Sequence, residues 1–226
     1  MTLSLQVDAS VDTTRLRSAA IDGLLIRPIE AWRFLHHRHG CNEGSEPISW
    51  EIIQPSASAQ GALFDVDAVV RYSFVDKIDT VVGVLVECSS APGTSFLHKS
   101  ARFAIDALDR FPGVRIQPLI LAINPLPKKI PSQMRITSFE PESEATLSFR
   151  PAVREICDDN PAKWIKAKSS VGAFFTPLMA ASLGSRFTYD RAVTSLVRLL
   201  SPDEFSRIFS AFALISKFGG QYPEDD

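Results

Sequence analysis

Cysteine is scarce. The three residues, Cys41, Cys88 and Cys157, are odd in number and widely spaced, and no Cys-x-x-Cys pair occurs. That pattern supports neither a disulfide framework nor a zinc site, and it suits buried thiols in a reducing compartment. Charge of one sign is also missing: 24 Lys and Arg against 26 Asp and Glu give a net charge of -2. No global basic field therefore marks the chain for nucleic acid or for an anionic membrane, although a local basic cleft can sit on a neutral protein. No apolar run is long enough to span a bilayer. The uncharged stretch 169–185 is broken by Gly172, Pro177 and Gly184. The N-terminus lacks a basic region followed by an apolar one, so no signal peptide and a cytoplasmic location are expected. Phosphate cradles are absent too, because "APGTS" (91–95) is a lone turn. No Gly-x-Ser-x-Gly or Ser-x-x-Lys element points to a serine hydrolase.

What is present is ample core material. With 226 residues, 45% hydrophobic and 22% charged, the composition is that of an ordinary globular protein. Helices are expected at 13–21 and 28–39; the second opens on Pro28, carries Ile29, Trp32 and Leu35 on one face, and meets a stop at Gly40. Strands are expected at 48–53, 63–75 and 80–88, the last two joined by the short turn 76–79. Apolar positions 97, 101, 104, 105, 108 and 111 give a helix over 95–111, followed by a strand at 114–124. The order helix–strand–strand–strand–helix–strand implies a mixed α/β sheet with helices on its faces. From about residue 150 an all-helical region is expected, with Ser201, Pro202 and Glu204 forming a capped helix start. The division is thus 1–150 for an α/β core and 151–226 for a helical region packed on it or extending it.

Two carboxylates break the apolar pattern. "TVVGVLVE" (80–87) ends in Glu87, and Asp67 stands at the start of "DAVV" in the preceding strand. In an antiparallel hairpin the start of one strand lies beside the end of the next, so the two side chains can converge. Converging carboxylates repel unless a cation or shared proton compensates. Mg²⁺ or Mn²⁺ fits, being oxygen-seeking and retaining waters for a phosphate substrate. The Cys88 backbone carbonyl is a candidate third ligand. Asp65 competes with Asp67 or supports it, since alternate strand residues share a face. The structural alternative is that Asp67 caps a turn while Glu87 pairs with Arg71 or Arg102.

Those residues and the order of elements resemble the PD-(D/E)XK nuclease superfamily, whose core is αβββαβ. Residues 60–124 are similar in particular to the Rpn branch of recombination-promoting nucleases, where an Asp opens one strand and the next ends in Glu, a variable residue and Lys or Gln. The resemblance implies a restriction-endonuclease-like fold, an Mg²⁺- or Mn²⁺-dependent endonuclease acting on DNA rather than RNA, and catalytic roles for Asp67 and Glu87. Glu30 is a further carboxylate at the weakly similar N-terminal helix. The family's Lys or Gln position is Ser89 here, which can hydrogen-bond a water but carries no charge. Lys99, in the following helix, is the expected substitute, with Arg102 near it.

Other motifs carry less. His36 and His39 in "LHHRHG" (35–40) suit the last turn of a helix better than a metal site. Phe205, Ile208, Phe209 and Phe212 form a stripe suited to a core or to a homodimer through the C-terminal helices. Two classes of function stay open: a metal-dependent nuclease, and a catalytically silent binding or assembly module for nucleic acid or a protein partner. Ser89 and the net charge favour the second; the paired carboxylates favour the first.

Overall fold

A computed structural model describes residues 12–36, 46–54, 63–89, 95–124, 134–137, 146–149, 151–179 and 186–219. The chain opens with two helices, α1 (Thr13–Leu25) and α2 (Pro28–His36). The Asp12 side chain caps α1 by accepting from the Thr14 N–H at 2.9 Å. The expected end of α2 at residue 39 and its stop at Gly40 lie outside the described residues, as do Cys41 and His39. Strands β1 (Ser49–Gln54), β2 (Ala68–Ser73) and β3 (Thr80–Glu87) follow as an antiparallel meander. Helix α3 (Ser95–Arg110) then carries the chain to β4 (Arg115–Ala122), which lies parallel to β3. This is the mixed sheet and helical crossover that the sequence pattern implies.

Beyond β4 the chain departs from expectation. A two-stranded antiparallel pair, β5 (Met134–Thr137) and β6 (Thr146–Phe149), precedes β7 (Ala152–Glu155), and β7 joins the main sheet parallel to β4. The sheet order is β1-β2-β3-β4-β7. The region after residue 150 is therefore not all helical. Four residues are too few to show a period, and a lone Arg154 within them gives no sign of burial. Instead its guanidinium is fully buried, ion-paired to Asp159, hydrogen-bonded to the Phe34 carbonyl at 3.0 Å and 4.8 Å from the Phe34 ring centre. The Trp164 indole donates to the same carboxylate at 2.8 Å, so this buried charge pair has the additional partners that such pairs require.

After Glu155 the expectation holds. The helices α4 (Pro161–Lys166), α5 (Ser170–Phe175), α6 (Arg186–Leu199) and α7 (Pro202–Phe218) follow, with a 3₁₀ turn at Thr176–Leu178. The Ser201–Glu204 capping box opens α7 as its sequence indicates. Ile208 and Phe212 are buried in the stripe, whereas Phe209 is exposed. Among the described residues no helix is long and apolar enough to cross a membrane.

Two cores flank the sheet. Val82, Val84 and Val86 of β3 pack with α1, α2 and the C-terminal helices, so residues on both sides of position 150 share one core. Val81 and Leu85 point the other way, under α3. Burial on both faces is why β3 is a continuous apolar run rather than an alternating one. The buried face of α3 is Phe96, Leu97, Ser100, Ala101, Phe103 and Ala107, while Ile105 and Leu108 are exposed. The expected stripe shares only Leu97 and Ala101 with the buried face, because it passed over Phe96, Phe103 and Ala107 as well as the buried Ser100.

Gly83 sets the depth at which α3 rests. A Cβ there would fall 2.4 Å from the Phe103 ring, so only hydrogen lets the ring lie on the strand. Gly83→Ala is expected to lower stability by about 1–3 kcal/mol through overpacking, measured by urea denaturation.

Candidate metal centre

The site begins with a buried glutamine. The β1–β2 register slips between Ile52 and Gln54, a type of irregularity that re-aims a side chain. The Gln54 amide then binds the segment that enters β2. Its Nε2 donates to the Phe64 and Val66 carbonyls at 3.0 and 2.8 Å. Its Oε1 accepts from the Leu63 and Phe64 N–H groups at 2.9 and 3.0 Å. All four positions of the amide are filled. Residues 63–67 are consequently not strand, as the run 63–75 had suggested; β2 starts at Ala68. Asp65 and Asp67 thus project from a looped segment rather than alternating along a ladder.

Asp67 is fastened to β3 at both ends. Its N–H donates to the Val84 carbonyl at 2.9 Å, and its Oδ2 accepts from the Val86 N–H at 2.7 Å. Glu87, at the end of β3, is buried, and its Oε1 accepts from the Ser89 N–H at 2.8 Å. The antiparallel register, with Ala68 opposite Val84, brings the start of β2 to the end of β3 as expected. The first turn of α3 passes over this corner. Asp65, Asp67, Glu87, Ser95, Lys99 and Arg17 of α1 line one cavity of about 110 Å³, with Val66, Leu85 and Phe96 completing its wall. Lys99 Nζ lies 3.0 Å from Asp65 Oδ1.

The electrostatics follow from burial. Desolvation raises the Asp67 carboxyl above the usual carboxylate range, opposed by the Val86 N–H and by the charges of Arg17 and Lys99, while Asp65 adds to the rise. Burial also pushes the Cys88 thiol up to about 12, so it is neutral at physiological pH and is neither thiolate ligand nor nucleophile. The donor set fits a hard divalent cation. Asp67 and Glu87 each spend one oxygen on a backbone N–H and keep the other, and the cavity has room for a cation and a few waters.

Several candidates fall elsewhere. Cys88 does not line the cavity, and its carbonyl, the expected third ligand, accepts from Asn124 Nδ2 at 2.5 Å. Ser89 is not in the lining either; its part is the backbone N–H that holds Glu87. Glu30 is far from this corner in the fold, accepting from the Ser170 N–H at 2.7 Å at the start of α5. His36 stacks on Trp32, with Nδ1 2.8 Å from the Trp32 carbonyl. Arg102 pairs with Asp106, and Arg71 pairs with Asp79 at 2.7 Å, so neither neutralises Glu87.

Two contributors escaped the sequence reading. Arg17 looks like any solvated helix residue, and only the packing of α1 against β3 places it here. Gln54 opens the polar stretch "QPSASAQG", where a loop was all that composition indicated. Among the described residues, three ligand-type side chains with their ligand atoms all within 4.8 Å of one another occur at Glu155, Cys157 and Asp158, at the end of β7; Asp65, Asp67 and Glu87 are not gathered that tightly. No protein-family model, curated protein or solved structure matches the chain.

Gln54→Ala is expected to cost at least about 2 kcal/mol, the scale of one or two buried polar groups left unmade, and to weaken Mn²⁺ binding in calorimetry. Asp67 gives a pH signature. The folded carboxyl holds its proton more tightly than the unfolded one, so metal-free stability falls as pH rises from the ordinary carboxylate pKa through the raised folded value, and stays lower above it. Asp67→Asn is expected to remove that slope in denaturant titrations across pH. In the wild type, Mn²⁺ binding should tighten with pH as the proton is displaced.

Proposed function

We propose that the chain is a Mg²⁺- or Mn²⁺-dependent phosphodiesterase, an endonuclease acting on DNA. The observation that carries this reading is the convergence of Asp67, Glu87 and Lys99 on one cavity at the corner where β2, β3 and α3 meet. The element order from α2 to β4 supports it, being the αβββαβ order of the PD-(D/E)XK nucleases. In this reading the fold is of the restriction-endonuclease type, and α7, with Phe209 exposed, lies at a homodimer contact.

Asp67 and Glu87 hold the cation, with Asp65 beside them. The Val86 and Ser89 N–H groups fix the two carboxylates at the orientation that binding needs. Burial excludes bulk water from Glu87 and most of Asp67, which strengthens any charge interaction made there. A cation held there by Asp67 and Glu87 would supply a lowered pKa for a bound water and charge to offset that developing on the phosphate. Lys99 takes the place of the charge that Ser89 lacks. Its pair with Asp65 is solvent-facing, with side chains 41% and 53% exposed, and such pairs contribute only about 0–1 kcal/mol. An incoming phosphate can therefore compete for the ammonium.

The silent binding module is the second reading, favoured by the Asp65 carboxylate that already occupies Lys99. Plasmid cleavage separates the two. Wild type should nick supercoiled DNA with Mg²⁺ or Mn²⁺, Asp67→Ala should abolish cleavage and calorimetric Mn²⁺ binding, and Lys99→Ala should slow cleavage at least about tenfold, or roughly 1.4 kcal/mol. No cleavage by the wild type with either ion overturns the phosphodiesterase in favour of the module.

A further inference from the structure

The cavity holds a second cation, from a part of the chain that the sequence motifs never touch. We propose that Arg17 is the residue that grips the substrate phosphate, its guanidinium forming the anion-binding wall of the cavity opposite the carboxylates. The proposal rests on the phosphodiesterase reading and assigns to that site its substrate-recognition group.

Three observations carry it. Arg17 lines the same cavity as Asp67 and Glu87, although it stands on α1, which packs against the opposite face of the sheet. Its Nε is buried without a hydrogen-bond partner among the described residues. A buried donor left unmade is costly, and a guanidinium edge is satisfied best by the paired oxygens of a phosphate. Arg17 also makes no close ion pair among the described residues, although its charge acts on Asp67, whereas Lys99 is held by Asp65. Its charge also acts on the Cys88 thiol, a weak acceptor.

The surroundings suit an anion beside a cation. Ser95 and Phe96 begin α3, a helix of 16 residues, and both line the cavity. The positive end of that helix therefore faces the space that Arg17 enters. Asp67 and Glu87 occupy the strand-end corner, where a cation belongs. Arg17 and the start of α3 form the walls on which a phosphate oxygen, bridged to that cation, would rest. Arg17 thus supplies charge that position 89 cannot, from a point far from it in sequence.

The test compares Arg17→Gln, Arg17→Lys and Cys88→Ala with the wild type. Three readouts are used: anisotropy of a fluorescein-labelled DNA duplex in Ca²⁺, Mn²⁺ calorimetry, and plasmid cleavage in Mn²⁺. Arg17→Gln is expected to weaken duplex binding at least tenfold and to slow cleavage at least tenfold, with Mn²⁺ affinity held within threefold. Arg17→Lys, which keeps the charge and the stem packing but loses the planar fork, should recover only part of the duplex binding. Cys88→Ala should leave binding within twofold. Arg17→Gln that binds and cleaves like the wild type overturns the proposal. An equal loss in Cys88→Ala also overturns it, since the role would then be structural. Should Arg17→Gln melt, the partial recovery by Arg17→Lys decides, and full wild-type behaviour in that variant counts against the fork. A wild type that binds duplex through Arg17 but never cleaves removes the phosphodiesterase while leaving Arg17 as an anion-binding residue. A wild type that does neither removes both.

Discussion

The four hydrogen bonds of the Gln54 amide are the constraint on which the corner depends. Without them, residues 63–67 could extend β2 by several residues, as their composition invites. Asp65 and Asp67 would then follow a two-residue alternation along an edge. With them, the segment is held in a loop whose last residue, Asp67, is bonded through both its backbone and its side chain to β3. A single neutral amide thereby decides where two charges stand. Because it is buried and saturated, it offers no alternative arrangement at low cost.

The balance inside the cavity is a second theme. Three carboxylates, an ammonium and a guanidinium face a small space from four segments of chain. The near-equality of signs explains why a net charge of -2 says nothing against binding a polyanion here. Local charge is set by which side chains the fold gathers, and overall composition averages it away. The raised Asp67 carboxyl shows the tension directly: desolvation outweighs the help of two nearby cations. A site under that tension stands to gain from a bound divalent ion.

Much of this was readable before any coordinates. The doubly apolar run of β3, the helical period of α3 and the capping residues of α7 each rest on one local signal, and each element formed. That Asp67 and Glu87 would line one corner followed from hairpin geometry alone. What could not be read depended on tertiary packing. Nothing in "AVRE" announces that Phe34, Asp159 and Trp164 will enclose Arg154. The same holds for Arg17, whose neighbours along the helix give no sign of a cavity beyond the sheet end. Glu30 erred in the opposite direction: a carboxylate near the expected motif became a cap for a helix 140 positions later in the chain.

The packing of the first helix against the last has its own bearing on this corner. α1 rests against α7, and Arg27, just after α1, is joined to Glu204 of α7 at 2.9 Å. α7 thereby braces the helix that carries Arg17. A lesion in α7, which contributes no residue to the cavity lining, would reach it through α1. The corner thus depends on a helix that enters the chain long after the residues lining it.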